Sequence, residues 1–274
     1  MTISHNDFCY IQELLHKQVG IVLGMDKRYL VETRLTALAQ QRGLSGLQEL
    51  LFQLRAQPSA LIYQDLMEAM AINETLFFRD ESLFESIKTT LLPDVLAQQT
   101  EQRTLNIWSA ACSSGQEPYS VAILLKEHFP DIDDWNVRLI ASDMSSTMLT
   151  RARQGCYTAF EANRGLPQSL LNKYFQRHDK QWQINNNIIQ MVEFRQLNLT
   201  ETWPLLPPID ILLLRNVLIY FDDKTKKKIL NQVQRLLKPH GYLVTGTSET
   251  AFHRLNEQFK TVKLGTIIAY QLKK

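Results

Sequence analysis

The sequence has few cysteines and no long apolar run. Its three cysteines, Cys9, Cys112 and Cys156, are scattered along 274 residues and match neither a disulfide framework nor a metal-ligand spacing. No apolar stretch approaches the roughly 20 residues that a membrane-spanning helix needs, and the first residues lack a basic segment followed by an apolar one. We therefore expect a protein of the reducing cytoplasm that does not insert into the membrane.

Neither sign of charge is in excess. The chain carries 30 Lys and Arg against 28 Asp and Glu, a net charge of +2. Such a balance gives no strong field to attract nucleic acid, so no nucleic-acid partner is expected. The six histidines are dispersed, without a ligand spacing, and no metal site is predicted. A chain of this length can bury a sizeable core.

The first quarter of the sequence has helical periodicity. Apolar residues recur at threes and fours, as Phe8, Ile11 and Leu15 do, and Pro58 is expected to open a fourth helix. This pattern predicts a small all-α domain over residues 1–72. A connecting segment, residues 73–90, follows it.

After Thr104 the sequence alternates between strand and helix patterns. The stretches "TLNIWSA" (104–110) and "VRLIASD" (137–143) indicate strands, and each precedes a helical pattern. The run "IDILLLRN" (209–216) is typical of a strand buried on both faces. The alternation predicts a doubly wound α/β domain over residues 91–274.

One segment interrupts this alternation, and two short sequences within it indicate strands. The stretches "KYFQRHDKQWQI" (173–184) and "IIQMVEFRQL" (188–197) flank a polar turn and favour short antiparallel strands. We predict a small β insertion at about residues 171–196. The domain is expected to end in a strand pair whose last member is "GTIIAYQL" (265–272).

The loop after the first predicted strand is the strongest local signal of a binding site. It reads "ACSSGQEP" (111–118), and Gly115 permits a ligand to approach the start of the helix predicted from Tyr119. The second strand ends at Asp143, at a spacing where an acidic side chain meets ribose hydroxyls. A single Gly is too few for the dinucleotide pyrophosphate motif. Nucleoside binding is the prediction, and a plain turn with Asp143 as a helix cap is the alternative.

A second polar group follows the third predicted strand. Arg215 and Asn216 end this strand, and Tyr220 comes shortly after them. Because strand ends in open parallel sheets converge on one crevice, these residues should face the site of the first two strands. The alternative is that Arg215 forms a structural ion pair and Tyr220 packs with Phe221.

Six stretches along the chain form one ordered set: "NETLFFRD", "WSAACSSGQEPYSVA", "ASDMSSTMLTRAR", "FRQLNLT", "LLLRNVLIYF" and "GYLVTGTSE". Together they resemble the successive motifs of the chemotaxis receptor methyltransferases, the CheR family. They follow the family's order, and the resemblance spans nearly the whole chain, including the helical N-terminal part. The loop departs from the family by reading "SSGQEP" where "TGEEP" is expected, and the β insertion is shorter than in some members.

The resemblance implies an S-adenosylmethionine-dependent O-methyltransferase that esterifies glutamate side chains on the cytoplasmic helices of chemoreceptors. Its product would be S-adenosylhomocysteine. A glutamate carboxylate has an unperturbed pKa of about 4.3, so the nucleophile is already ionised and no general base is needed. The positions that match the family's cofactor contacts are Asn73, Thr75, Arg79, Glu117, Asp143, Asn198, Leu199, Arg215 and Asn216.

The resemblance also implies roles for residues around the adenosine. Asp143 would hold the ribose hydroxyls, Asn198 and Leu199 would frame the adenine, and Glu117 would meet the cationic amino group. Cys112, in the cofactor loop, is interpreted as a small packing residue rather than a nucleophile.

Two residues are candidates for aligning the substrate. Arg79 fits either the methionyl carboxylate of the cofactor or the incoming glutamate carboxylate, since a guanidinium binds both, and the choice stays open. Tyr220 is the second candidate for aligning the carboxylate that accepts the methyl group.

Receptor recognition is expected to involve residues 1–72. A basic surface on the second helix could meet a receptor helix that carries glutamates, whereas the alternative is an ordinary solvated face, because Glu32 interrupts the run. The short turn "RHDKQ" (177–181) favours a member that needs no receptor C-terminal peptide tether. A monomer is expected. The basic residues are Lys27, Arg28, Arg34 and Arg42.

Two rival functions share this fold class. A nucleic-acid methyltransferase would need a basic, aromatic-lined groove and often an Asn-Pro-Pro-aromatic stretch, whereas the chain has "RNVLIYF" (215–221). A regulatory protein that binds the cofactor without turnover is the second rival. The presence of Arg79, Asp143 and Tyr220 argues against it.

Overall fold

The protein divides into two compact units. A computed structural model describes residues 3–56, 60–249 and 257–273. The helical unit comprises Met1–Ile72 with Tyr220–Thr225, and the sheet unit comprises Asn73–Ile219 with Lys226–Lys274. Pro58, which was expected to open the fourth helix, lies outside the described residues. Among the described residues, no helix has the length and apolar character needed to cross a bilayer.

The helical unit contains the predicted four helices. Ser4 caps the first, because its hydroxyl accepts a hydrogen bond from the Asp7 amide at 3.1 Å. Gly20 ends that helix in the left-handed region, with φ of 69°. Buried residues such as Phe8 and Leu35 form the core. The helices are α1 (His5–Val19), α2 (Arg28–Gln41), α3 (Leu47–Ala56) and α4 (Ala60–Met70).

The sheet unit has the predicted Rossmann-like α/β fold. Its elements in chain order are α5 (Glu81–Ser86), α6 (Leu92–Gln98), β1 (Thr104–Ala110), α7 (Gln116–His128), β2 (Asn136–Asp143), α8 (Ser146–Gln154), β3 (Cys156–Thr158), α9 (Ala159–Asn163), α10 (Gln168–Tyr174), β4 (Phe175–His178), β5 (Gln181–Ile184), α11 (Asn186–Ile189), β6 (Val192–Gln196), β7 (Ile209–Leu214), α12 (Asp223–Leu236), β8 (Leu237–Thr245), β9 (Phe259–Leu264) and β10 (Ile267–Leu272). The large sheet has the order β6-β2-β1-β7-β8-β10-β9. The first five strands of this order are parallel. The predicted last strand, β10, pairs antiparallel with β8, and a further strand that was not predicted, β9, pairs antiparallel with β10 at the end of the sheet.

The register of the parallel strands aligns their carboxyl ends. Ala110 at the end of β1 pairs with Ser142 of β2 and with Leu214 of β7. Leu214 in turn pairs with Thr245, the last residue of β8. The loops that follow these strands therefore lie along one side of the sheet. We call this side, formed by residues 111–115, 143–145, 215–219 and 246–249, the strand-end edge.

The β insertion differs in part from the prediction. Its strands form a small antiparallel sheet in the order β3-β5-β4, which includes residues upstream of position 171. The predicted antiparallel pairing of residues 188–197 was wrong, because β6 joins the large sheet parallel to β2. A short edge strand shows the same alternation whichever direction it pairs in, so the pattern could not identify its partner.

Two element boundaries also differ from the expectations. Helix α7 begins at Gln116 rather than Tyr119, because Gly115 adopts a φ of 93° and Pro118 is tolerated in a first turn that needs no donor. A Cβ at Gly115 would lie 3.0 Å from the Ala152 Cβ, so packing against α8 also requires glycine there. Strand β8 begins at Leu237 and so includes Pro239, His240 and Gly241, a sequence that is typical of a turn before a strand.

Candidate functional site

Strained backbone is concentrated at and beside the strand-end edge. Ala111, Ser113 and Asn216 have φ values of 58°, 50° and 57° in loops that follow parallel strands. Phe78 and Asp80, in the segment before α5, have φ values of 47° and 68°. Left-handed conformations of such residues cost about 1–3 kcal/mol each and persist only where the surrounding structure enforces them. Their concentration here identifies the edge as the candidate site.

Asp143 joins two loops of this edge. Its carboxylate is buried, and it accepts hydrogen bonds from the Ser113 amide at 2.8 Å and from the Ser145 amide at 2.9 Å. The helix cap of α8 is Ser145 rather than Asp143, since the Ser145 hydroxyl accepts from the Met148 amide at 3.1 Å. Asp143 therefore has the predicted position and fixes the loop after β1 by a charge-assisted contact.

Arg215 is the centre of a buried ion-pair network. Its guanidinium donates to the Glu117 carboxylate at 2.7 Å, to the Asp80 carboxylate, and to the Arg79 carbonyl at 3.1 Å. Glu117 also accepts from the Ser109 hydroxyl at 2.7 Å. The structural ion pair considered as the alternative for Arg215 is thus present. Its Nε is buried without a hydrogen-bond partner among the described atoms, which leaves one donor for a ligand.

The segment 73–80 is fastened to the sheet unit through its backbone. The Asn73 carbonyl accepts a hydrogen bond from the Ser113 hydroxyl at 2.9 Å. The Phe78 amide donates to the Ser120 hydroxyl, also at 2.9 Å. These two contacts bring the family-matched residues of this segment beside the loop after β1.

Phe77 anchors the same segment by apolar packing. Its side chain is fully buried, and its ring makes edge-to-face contacts with Tyr157 at 4.9 Å and with Phe175 at 5.4 Å between centroids. Gly165 allows this approach, because a Cβ there would lie 2.1 Å from the Phe77 carbonyl oxygen. The buried ring of Phe77 therefore holds the segment 73–80 against the sheet unit.

Arg79 is partly exposed and projects from this anchored segment. Its guanidinium donates to the Glu74 carbonyl at 3.1 Å. The Glu74 carboxylate pairs with Arg164 at 2.8 Å, and this ion pair lowers the pKa of Glu74 below its usual value. Thr75, which lies between Glu74 and Arg79 in the sequence, is half-buried. The segment therefore presents a cation next to the buried Arg215 network.

The loop after β6 organises its own backbone through Asn198. The Asn198 side chain accepts from the Thr200 amide at 3.0 Å and donates to the Glu201 carboxylate at 3.1 Å. Leu199 is buried, and its carbonyl accepts from the Trp203 indole at 3.1 Å. This rigid loop continues from Leu197, whose amide donates to the Asp143 carbonyl at 3.0 Å, so it adjoins the second strand end.

Tyr220 belongs to the segment that groups with the helical unit. Its carbonyl accepts from the Val22 amide at 2.8 Å, and the next residue, Phe221, forms an isolated bridge with Ile21. These backbone contacts tie the segment 220–225 to the end of α1. The catalytic assignment of Tyr220 stays a prediction.

The four basic residues predicted for receptor binding all have partners within the helical unit. Arg34 donates to the Met70 and Ala71 carbonyls, each at 2.9 Å, and so satisfies the end of α4. This favours a structural role for Arg34, while receptor binding by the group stays a prediction. Lys27 pairs with Asp26, Arg28 donates to the Ile3 carbonyl, and Arg42 pairs with Asp65.

Sequence reasoning missed two acidic residues, Glu249 of the edge and Asp80 beside it. Asp80 holds Arg215, and Glu249 accepts backbone hydrogen bonds from the loop after β7. A signal for Glu249 exists, since it closes the stretch "GTSE" (246–249) after β8 and so follows a strand as Asp143 does. Asp80 has no such signal, because it precedes a helix rather than following a strand.

The groups at the edge fit a cationic nucleoside ligand. Glu117 accepts two hydrogen bonds, whereas a carboxylate has about four acceptor positions, so it retains capacity for an ammonium or hydroxyl donor. Burial, reinforced by the negative charges of Asp143 and Glu117, raises the pKa of the Cys112 thiol well above the usual value, which disfavours the nucleophilic thiolate. The edge therefore suits binding and positioning rather than covalent catalysis.

Comparisons with known proteins identify the family. Residues 6–70 match the domain described as "CheR methyltransferase, all-alpha domain", and residues 73–268 match "CheR methyltransferase, SAM binding domain". The chain is similar to the chemotaxis protein methyltransferase Cher2 of Pseudomonas putida and to chemotaxis protein methyltransferase 1 of Pseudomonas aeruginosa. Each is 39% identical over 278 residues, and the alignments cover 100% of both chains. Chemotaxis protein methyltransferase 1 of Vibrio cholerae is 39% identical over 280 residues, which cover 100% of this chain and 99% of that protein. The chain therefore belongs to the CheR methyltransferase family, and its sheet unit is an S-adenosylmethionine-binding domain.

Proposed function

We propose that this methyltransferase esterifies glutamate side chains of bacterial chemoreceptors during chemotaxis adaptation. The names of its relatives, which are chemotaxis protein methyltransferases, support a receptor substrate. The observation that carries the proposal is the set of hydrogen bonds made by the carboxylates at and beside the edge. Asp80, Glu117 and Asp143 all accept hydrogen bonds from the protein, and burial raises the pKa of the neighbouring Cys112 thiol well above its usual value. Because each of these carboxylates already holds a hydrogen bond from the protein, the described part of the edge suits a nucleophile that needs no general base, such as a glutamate carboxylate, which is ionised at neutral pH.

For this reaction the protein mainly needs to align the carboxylate with the methyl group and to exclude water. When bound, S-adenosylmethionine supplies a methyl group on a sulfonium sulfur, which keeps the electron pair of the broken carbon–sulfur bond as the carboxylate oxygen bonds to the methyl carbon. The two reactants carry opposite charges, so excluding water strengthens their attraction. The anchored segment and the rigid loops of the edge hold side chains in fixed positions for this purpose.

The cofactor is proposed to bind along the strand-end edge. Asp143 would hold the ribose hydroxyls, and Glu117 would meet the cationic amino group with its remaining acceptor capacity. Asn198 and Leu199 would frame the adenine at the end of β6. The further residues proposed to contact the cofactor are Asn73, Thr75, Gly115, Arg215 and Asn216.

Arg79 and Tyr220 are proposed to align the glutamate carboxylate. The Arg79 guanidinium is partly exposed and contacts a backbone carbonyl rather than a carboxylate, so it can still form a forked contact with an anion. A very strong ion pair would also stabilise the substrate before reaction, so a hydroxyl such as that of Tyr220 suits the aligning role as well.

The proposed partner is the cytoplasmic helical domain of a chemoreceptor. The methyltransferase is proposed to bind it in the cytoplasm as a monomer. Residues 1–72 would recognise it, and residues 73–90 would connect this domain to the catalytic domain of residues 91–274. The exposed Lys27 is the candidate contact among the basic residues of this domain. No receptor peptide tether is invoked, since the turn between β4 and β5 is short.

The test is transfer of radiolabelled methyl from S-adenosylmethionine to receptor cytoplasmic fragments. We expect a base-labile ester in the wild type, none in fragments whose acceptor glutamates are replaced by alanine, and little in Asp143→Asn. Label in RNA or DNA would favour the nucleic-acid rival. Tight cofactor binding with no transfer to any receptor fragment would favour the regulatory one, and either result would overturn the proposal.

A further inference from the structure

Glu249 is a buried carboxylate, and its hydrogen bonds with the described residues all come from backbone amides. It is 6% exposed and accepts from the amides of Asn216 at 2.8 Å, Val217 at 2.9 Å, Leu218 at 2.7 Å and Gly246 at 2.6 Å. Four donors fill the acceptor positions of one carboxylate. Glu249 is therefore fully occupied by the protein and is not available to a ligand.

Three of these donors are consecutive, and this fixes the loop after β7. Residues 216–218 lie outside the sheet, and Asn216 has a φ of 57°. Successive amides around a left-handed residue form a concave anion site, which here is filled by a side chain of the same protein. Without the carboxylate, the buried amide of Leu218 and the amides of Asn216 and Val217 would lose their acceptor, which costs free energy. The left-handed conformation of Asn216 would also lose a contact that holds it in place.

We infer that Glu249 is a positioning residue for the S-adenosylmethionine site. By holding residues 216–218 it sets the place of Asn216 and of the adjoining Arg215, whose guanidinium holds Asp80 and Glu117. Glu249 acts through these residues and does not touch the cofactor. The inference rests on cofactor binding, which the family membership establishes, and it is independent of which molecule accepts the methyl group.

Gly246 supports the same role from the other side of the loop. A Cβ at this position would lie 2.8 Å from the Asn216 Nδ2 and 2.8 Å from the Glu249 Oε2. Glycine therefore allows the end of β8 to pack directly on the end of β7. Gly246→Ala would crowd both the carboxylate and the asparagine that it positions.

The isosteric change Glu249→Gln tests the hydrogen bonds of the carboxylate separately from the volume of the side chain. The glutamine keeps the volume, but its NH2 group would face amides that also donate, since one of the two carboxylate oxygens accepts from Asn216 and Gly246 and the other from Val217 and Leu218. One pair of donors would lose its acceptor whichever way the glutamine is turned. A conservative replacement therefore fails to restore the loop.

Asp210 provides a matched control at the opposite end of β7. It is also a fully buried carboxylate, and it accepts from the Asn106 amide and from Lys238, each at 2.9 Å. Asp210→Asn should lower stability without changing the strand-end edge. Glu249→Gln thus disturbs the loop after the end of β7, whereas Asp210→Asn disturbs the start of β7.

The experiment measures affinity for S-adenosylhomocysteine by calorimetry, together with urea stability and amide hydrogen exchange. We expect Glu249→Gln to weaken binding by about tenfold and to speed exchange of the amides of residues 216–218, because a buried donor left unpaired costs the equivalent of a roughly five- to hundredfold change in an equilibrium constant. Asp210→Asn should bind within about twofold of the wild type even where its stability falls by a similar amount.

Wild-type affinity in a folded Glu249→Gln variant would overturn the inference, as would equal loss in both variants. If Glu249→Gln does not fold, Gly246→Ala decides the question, with a comparable loss of affinity supporting the inference and unchanged affinity overturning it. A wild-type protein that binds the cofactor but methylates no receptor fragment would overturn the proposed function and leave this inference intact.

Discussion

Arg215 and Asp80 form an ion pair in which the arginine side chain is 2% exposed and the aspartate side chain 35% exposed. The pair joins the end of β7 to the residue before α5. A buried guanidinium is costly to desolvate, so its stabilising effect depends on keeping both carboxylate partners. The same arginine therefore links the stability of the sheet unit to the geometry of the proposed cofactor site.

Arg215→Ala should lower the free energy of unfolding by about 3–5 kcal/mol, because it leaves the Glu117 carboxylate, 13% exposed, without its cation. Urea denaturation measures the loss. The control is Arg164→Ala, which breaks the exposed pair with Glu74 and should cost less than about 1 kcal/mol. Equal losses in the two variants would contradict the buried network.

Arg79→Ala should lower turnover by about a hundredfold or more, as removal of a well-placed donor to a reacting group does. Cofactor affinity should change by less than about threefold, since the Arg215 network forms without the Arg79 side chain. Calorimetry with S-adenosylhomocysteine separates the two quantities, and Arg79→Lys tests whether charge alone suffices.

A large loss of affinity in Arg79→Ala would instead assign Arg79 to the methionyl carboxylate of the cofactor. Tyr220→Phe, measured in the same way, removes one hydroxyl and keeps the ring. Lower turnover with unchanged affinity in this variant would support the substrate-aligning role of Tyr220, whereas unchanged turnover would exclude it.

Phe77→Ala should cost about 3–5 kcal/mol of unfolding free energy, because it empties a fully buried position between Tyr157 and Phe175. Phe160 is the matched control, since its side chain is 75% exposed. Phe160→Ala should stay within about 0.5 kcal/mol of the wild type. A loss in Phe77→Ala no larger than in this control would contradict the anchoring role.

Asp222 should make stability depend on pH in the acid range. Hydrogen bonds from the Thr225 backbone and from His16 lower the pKa of Asp222 from 3.8 to about 2. Because the folded-state pKa is depressed, this contribution is complete above the unfolded-state pKa and is lost as pH falls from about 4 to about 2.

The measurement compares urea midpoints of the wild type and Asp222→Asn between pH 3 and pH 7. The advantage of the wild type should shrink as the pH falls below about 4. The exposed Asp131 supplies the control variant, Asp131→Asn, for general acid effects. A difference that does not change with pH would contradict the prediction.

The fold followed from the sequence because its main signals are local. Alternating strand and helix patterns fixed the order of elements, and the convergence of parallel strand ends brought Asp143 and Arg215 to one edge without any contact being known. The partner of β6 did not follow, since pairing direction is decided by tertiary packing. The roles of these residues toward the cofactor stay predictions that the variants above test.

Other features of the site depend on contacts between residues far apart in the sequence. Asp80 and Arg215 are separated by 135 positions, and nothing local in "NETLFFRD" indicates which cation its aspartate meets. The hydrogen bonds of Glu249 were equally hidden, because they go to backbone amides, which every sequence possesses. Such contacts can be found only when the loops are seen together.

The aromatic contacts of Phe77 have a consequence for communication across the sheet unit. Phe77 lies two residues before Arg79, and its ring rests on Tyr157 of β3 and Phe175 of β4. A displacement of the small sheet that also moves Phe77 would be expected to shift Arg79. If a ligand that binds β3 and β4 changes the affinity of Arg79 for an anion by some factor, thermodynamic reciprocity requires that the anion change the affinity for that ligand by the same factor.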